Sequence, residues 1–195
     1  MAKLTAPLLS LSASGKFANT LVAFSWKGIN VMRQWVKPAN PQTADQVAQR
    51  DAMTACVGAW RYYFTGAAVR TGWGRLALQL ADTMSGFNAF IRNAVKNYNV
   101  AATNAMGNGF TALAGQVCKV AMIRMDTGAA ATEAGNFTLW YGSKPDSLLQ
   151  GDSVAIVAGE VTFTTDMGTA GDDVYVKVVK DGLDRSGIEK ITLLA

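Results

Sequence analysis

The groups in this chain able to do chemistry are few. They are the carboxylates Glu133, Asp152, Asp172 and Asp173, the thiols Cys56 and Cys118, and a scatter of lysines and arginines. None of the 195 residues is histidine. That excludes Ser-His-Asp and Cys-His nucleophiles, histidine zinc sites and any histidine general base or pH switch. The four carboxylates fall in segments that read as turns, outside any apolar run that would raise their pKa, so they read as solvated. Gly-Asp-Asp at 171–173 lacks the alternating oxygen ligands of a calcium loop. Asp-Thr-Gly at 126–128 occurs once, where a two-lobed protease needs two copies. Two cysteines cannot make a four-thiolate metal site. No Gly-Lys-Ser/Thr phosphate loop is present, and Gly107-x-Gly109 follows an alanine-rich stretch rather than a strand. The expectation is a protein that is not an enzyme and takes no cofactor.

Composition supports that expectation from another side. Half of the residues are apolar and only 16% are charged, against about 25% in an average soluble chain. Low charge on an apolar-rich chain suggests a surface covered by neighbours in an assembly. No run approaches the length of a membrane span, and the opening MAKLTAPLLSLSASGK, broken by Pro7 and three serines, reads poorly as a signal peptide. The formal charge of +4 is unevenly spread: residues 1–100 hold 11 Lys+Arg and 3 Asp+Glu, residues 101–195 hold 7 and 11. A basic half and an acidic half imply opposed-charge packing between copies.

The elements that position these groups follow from periodicity. LVAFSW (21–26) and INVMRQWV (29–36) flank Lys27-Gly28 and predict a β-hairpin. Pro38-Ala39-Asn40-Pro41 stops the second run. Thr43 stands three residues before Gln46, the capping-box spacing, and opens a helix over about 43–64. Val47, Met53, Cys56, Val57, Trp60 and Phe64 form its expected apolar side. Further helices are predicted over 68–82, burying Val69, Trp73, Leu76 and Leu80, and over 86–98, presenting Phe87, Phe90 and Ile91. The tryptophans and phenylalanines of these helices read as core. AATNAMGNGFTALAGQ (101–116) reads as a linker. Beyond it come short β-prone runs at 117–125, 137–141, 154–157, 161–165, 174–179 and 188–193, which suggest a small sandwich. The predicted fold class is therefore α+β, an N-terminal β-hairpin with a three-helix unit (1–100), a linker (101–116) and a small all-β immunoglobulin-like sandwich (117–195).

Two segments carry resemblances. Ser14-Gly15-Lys16, Trp26-Lys27-Gly28, Arg33, Pro38-x-Asn40-Pro41-x-Thr43 and Gln46-x-x-x-Arg50, with Trp60, Trp73 and Ser85-Gly86-Phe87-Asn88-x-Phe90, resemble a module recurring in bacterial, prophage and phage-encoded proteins. That resemblance covers residues 14–98 and implies no defined activity. FTLWYGSKPDSLL (137–149) and DVYVKVVKDGLDRSGIEKITL (173–193) are similar to segments of fibronectin type III and related immunoglobulin-like domains. Such domains serve as adhesive or spacing units on phage virions.

Together these readings imply a structural subunit of a bacteriophage virion, a capsid, decoration or tail component. It would be located in the virion and partnered by copies of itself or by other virion proteins, with no membrane. Trp26, Arg33, Asn40, Thr43 and Arg50 are the candidate organising residues at the hairpin-to-helix corner. One rival is a DNA-binding protein using the basic half, although the absence of a dense Lys/Arg cluster makes nucleic acid the less favoured partner. Another is a bacterial surface or carbohydrate-binding module using Trp140 and Tyr141. Adjacent strand residues point to opposite faces, which counts against a flat stacking platform there.

Overall fold

A computed structural model describes residues 2–4, 15–18, 20–37, 39–80, 83–98 and 105–195. The fold is α+β. Ser14, Pro38, and residues 101–104 of the expected linker lie outside the described residues.

The chain divides into two units, Met1–Thr43 and Ala44–Ala195. The first is an antiparallel sheet ordered β1-β4-β3-β2, with β1 at Ala2–Leu4, β2 at Gly15–Phe17, β3 at Leu21–Trp26 and β4 at Ile29–Gln34. Its central hairpin is the one the sequence predicts. Lys27 and Gly28 sit at φ of 48° and 77°, the left-handed pair that lets a two-residue turn follow the twist of the strands. Among the described residues of this unit only Ala23 and Val31 are buried apolar groups.

The second unit contains three helices, α1 (Ala44–Tyr62), α2 (Ala67–Gln79) and α3 (Gly86–Tyr98). They pack on a two-sheet β structure. One sheet is ordered β5-β6-β9: Ala105–Leu113, Val117–Arg124 and Glu160–Thr162. The other runs β8-β7-β10, with β11 and β12 both pairing β10. Its strands are β7 (Asn136–Gly142), β8 (Leu149–Ala155), β10 (Asp173–Lys180), β11 (Leu183–Asp184) and β12 (Glu189–Thr192). Period-2 burial places Cys118, Val120 and Met122 of β6 in one core with Phe137 and Leu139 of β7 and Val174, Val176 and Val178 of β10.

The expected boundary at 100 and the linker at 101–116 are corrected here. Residues 105–113 are strand β5, and Ala105, Met106 and Gly107 are buried. Small residues signal a loop in sequence, but here they allow close packing: a Cβ on Gly107 would come 3.0 Å from the Ser186 Cβ. The helices likewise do not form a domain with the hairpin. Their core of Phe64, Trp73, Leu76 and Phe90 is completed by Met106, Met125 and Ile188 from the β region. Trp73 and Phe90 meet edge to face with ring centroids 5.3 Å apart, a geometry that the opposed charge of ring edge and ring face favours.

The seam between helices and sandwich is the segment 185–188, which leaves the sheet between β11 and β12. The Ile188 N–H donates to the Gly72 carbonyl of α2 at 3.0 Å, and the Gly107 N–H of β5 donates to the Arg185 carbonyl at 2.7 Å. Ser186 Oγ accepts the Val178 N–H at 2.9 Å, taking the place of a ladder partner. A Cβ on Gly187 would fall on the backbone of Gly72 and Trp73. Backbone cannot swing aside as a side chain can. Gly187→Ala is therefore expected to destabilise the second unit by about 1–3 kcal/mol. Urea unfolding followed by circular dichroism checks this, and a shift below about 0.5 kcal/mol, the usual range of a surface substitution, would show that the approach is not tight.

Candidate functional site

Of the five residues singled out from sequence, the sheet brings Trp26 and Arg33 to one face. Trp26 ends β3 opposite Ile29 and is 52% exposed, so it is surface rather than core. Arg33 lies on β4 with its guanidinium carbon 5.3 Å from the Phe24 ring centroid. Asn40 and Thr43 are exposed in the segment that ends the first unit, and Thr43 directly precedes Ala44, the first residue of α1. Arg50 belongs to the second unit, on α1, where its carbonyl accepts the Thr54 hydroxyl at 2.8 Å. The hairpin-to-helix corner thus spans two units.

Register and alternation define the Trp26 face. Lys16, Val22 and Arg33 form one row across β2, β3 and β4, followed by the pairs Phe24–Val31 and Trp26–Ile29. Trp35 joins them, with the Lys16 Nζ 3.9 Å from its ring centroid. Val22, Arg33, Gln34, Trp35 and Val36 line a shallow depression. Residues 1–43 hold Lys3, Lys16, Lys27, Arg33 and Lys37 and no carboxylate, while the remaining chain holds 13 Lys+Arg against 14 Asp+Glu. The whole net positive charge of the protein resides in its first unit.

A second exposed feature is α1. The expected apolar side holds at Cys56, Phe64 and the half-buried Trp60 and is corrected elsewhere: Ala52 and Ala59 face inward, whereas Val47 and Met53 are exposed. Every residue from Ala44 to Asp51 is exposed. Met53, Val57 and Arg61 form one outward row, with Thr54, Gly58 and Tyr62 beside it, and together they line a shallow groove.

The strongest polar cluster is internal. Glu133, expected in a solvated turn, has a side chain only 4% exposed and pairs with Lys180 Nζ at 2.5 Å and Arg185 Nη2 at 3.3 Å. Its Oε2 accepts the Ala105 N–H at 3.3 Å. Arg185 also donates to Asn97 Oδ1 of α3, and to the Ala105 carbonyl at 3.3 Å. Asp152 likewise lies in a strand, β8, rather than a turn. Burial works against its charged form, but hydrogen bonds from Thr165 and Thr164 prevail and hold its carboxyl below the usual range. One signal of the buried cluster was present in sequence: Lys180 continues the inward positions 174, 176 and 178 of β10, and an inward lysine requires an acceptor.

Neither thiol is poised to react. Burial pushes Cys56 up to about 11 and Cys118 to about 12, and the thiolate is the nucleophile. Among the described residues no group of three or more Cys, Asp or Glu is placed to hold a metal ion, and no helix is long and apolar enough to cross a membrane.

What the structure defines is an α+β protein of two units: a basic four-stranded sheet with exposed aromatics, and a helix-covered antiparallel sandwich sealed by a buried Glu-Lys-Arg cluster. The chain belongs to a family of unknown function, DUF6266, which it matches over residues 12–175. The match crosses from the first unit well into the sandwich, so sheet, helices and sandwich strands occur together in the family. No curated protein and no solved structure matches the chain.

Proposed function

We propose that this protein is a non-enzymatic structural subunit that works by protein–protein assembly, as a capsid, decoration or tail component of a bacteriophage virion. The observation that carries the reading is the outward side of α1. Gly58 lies inside a 19-residue helix, where glycine costs about 1 kcal/mol relative to alanine. Nothing lies within 4 Å of where its Cβ would stand. The folded chain therefore gives no steric reason for glycine at this position, whereas a neighbouring chain packed into the groove of Met53, Val57 and Tyr62 would. The second unit's sheets, one of five strands and one of three, are of the antiparallel class to which fibronectin type III domains belong, domains whose role on virions is spacing and adhesion. Fold likeness alone assigns no function, so the weight rests on α1.

Light scattering coupled to size exclusion, followed by negative-stain imaging, tests the reading. A mass of several chains rising with concentration is expected. Gly58→Ala should raise the unfolding free energy of the dissociated chain by about 1 kcal/mol while weakening association. A monomer at the highest attainable concentration, unchanged by Gly58→Ala, overturns self-assembly through α1.

A further inference from the structure

We propose that the face of the first unit's sheet carrying Phe24, Trp26 and Trp35 binds single-stranded nucleic acid, with Lys16, Lys27, Arg33 and Lys37 holding phosphates and the rings stacking on bases. This goes beyond the assembly reading, which rests on a different unit and a different surface.

Charge provides the first argument. The unit offers five cations and no carboxylate in 43 residues, so a bound polyanion meets no like charge there. An acidic protein surface is the obvious competitor, yet the second unit has spent many of its acids internally. Glu160 is paired with Lys119, Asp126 with Arg124, Asp184 with Lys177 and Asp173 with Lys190, all within 3.0 Å. Six further carboxylates of that unit, Asp45, Asp51, Asp146, Asp166, Asp172 and Asp181, are exposed, but they are spread over α1 and three loops, so a second copy offers single charges where a polyanion offers a continuous row.

The arrangement of rings provides the second argument. Phe24 and Trp26 are two residues apart on one strand, about 6.8 Å along its axis, and project to the same side. Trp26 is 52% exposed, on the same face as Arg33 and Lys16. Cations alternating with aromatic rings on a sheet face are the means by which proteins track a phosphate backbone while stacking its bases. A duplex keeps its bases stacked on one another and cannot use the rings, so the chemistry selects a single strand.

The test uses the full chain and a fluorescein-labelled 20-mer of deoxythymidine, read by anisotropy. Binding is expected at low salt, with the logarithm of affinity falling against the logarithm of salt at a slope of about −2 to −3, as three or four phosphate contacts to a single strand require. Trp26→Ala should lower affinity by about fivefold or more, the effect of losing one stacked base, and Trp26→Phe should retain most of it. Because Trp26 is already solvent-exposed, its loss leaves the fold intact, and a circular dichroism spectrum verifies this. Lys144→Ala, an exposed cation of the second unit, should change nothing. Four outcomes overturn the proposal: no binding at low salt, equal affinity in Trp26→Ala, tighter binding to a duplex of the same length, or binding only to anionic phospholipid vesicles. Oligomeric state measured on the same samples keeps this result separate from that of the assembly reading.

Discussion

Glu133→Ala is expected to cost about 3–5 kcal/mol of stability, the loss that follows when one partner of a buried ion pair is removed. Lys180 is 6% exposed and Arg185 2%, and both charges meet at the Glu133 carboxylate. Without it, Lys180 keeps the Ala134 carbonyl and a position 4.8 Å from the Phe137 ring centroid. Arg185 keeps Asn97 and the Ala105 carbonyl. These are dipoles and a ring face, and Asp181, the other carboxylate acting on Arg185, lies in an exposed turn. Two desolvated cations then face each other's surroundings with no counterion. Because Glu133 also accepts the Ala105 N–H, the start of β5 loosens with it. Calorimetry should show the transition of the second unit lowered by roughly 10 °C, at 2–4 °C per kcal/mol for a unit of this size. The triple variant Glu133→Leu, Lys180→Met, Arg185→Leu should recover most of the loss, since an apolar replacement of a buried ionic group is often neutral or better. A loss below about 1 kcal/mol in Glu133→Ala, the value of a surface pair, would show that water reaches the cluster.

That cluster marks where sequence reading stops. Elements held by local rules were legible: the Lys27-Gly28 hairpin, the helix opening beside Thr43, α3 over 86–98 and the alternating strand β10. Each is governed by a turn, a cap or a repeat within a dozen residues. Strand β5 was not legible, because its two glycines and Asn108 carry no alternation and its place is set by β6 and by Arg185, 80 residues away from Ala105. The inward side of α1 is legible only in part, at Cys56 and Trp60, for a related reason. Its larger apolar residues Val47 and Met53 face out, while the close approach to the core selects Ala52, Cys56 and Ala59. For Trp26 the sequence leaves core and organising contact both open, since a strand tryptophan can be either. Its exposure comes from lying at the end of a sheet with two buried apolar side chains among the described residues, Ala23 and Val31. The charge split at residue 100 was real but coarse. The structural division at Thr43 separates all of the net positive charge from a nearly neutral body.

Glu189 makes the seam of helices and sandwich sensitive to pH. Its side chain is nearly inaccessible, and burial pushes its carboxyl up to about 7, against the opposing effects of the Phe110 N–H and the Arg75 charge. Oε2 accepts the Phe110 N–H at 3.2 Å, while Oε1 has no partner, and a Cβ on Gly72 would come 2.8 Å from its Cγ. Trp73 Nε1 and Arg185 Nε, also on the α2 and 185–189 elements of this seam, are buried without partners. In the unfolded chain Glu189 titrates at the ordinary value of 4.5. Between 4.5 and 7 the folded protein therefore holds a proton that the unfolded chain has released, and stability falls as pH rises through this window. The contribution is complete below 4.5, is lost through 7, and amounts to about 3 kcal/mol at 1.36 kcal/mol per pH unit of displacement. Glu189→Gln keeps the acceptor for Phe110 and cannot ionise. It is expected to remove that slope and to be the more stable form above pH 7, by urea unfolding at a series of pH values. Parallel curves for the two proteins between 4.5 and 7 would mean that Arg75, whose Nη1 donates to the Ile188 carbonyl at 3.2 Å, already neutralises the carboxylate in the fold.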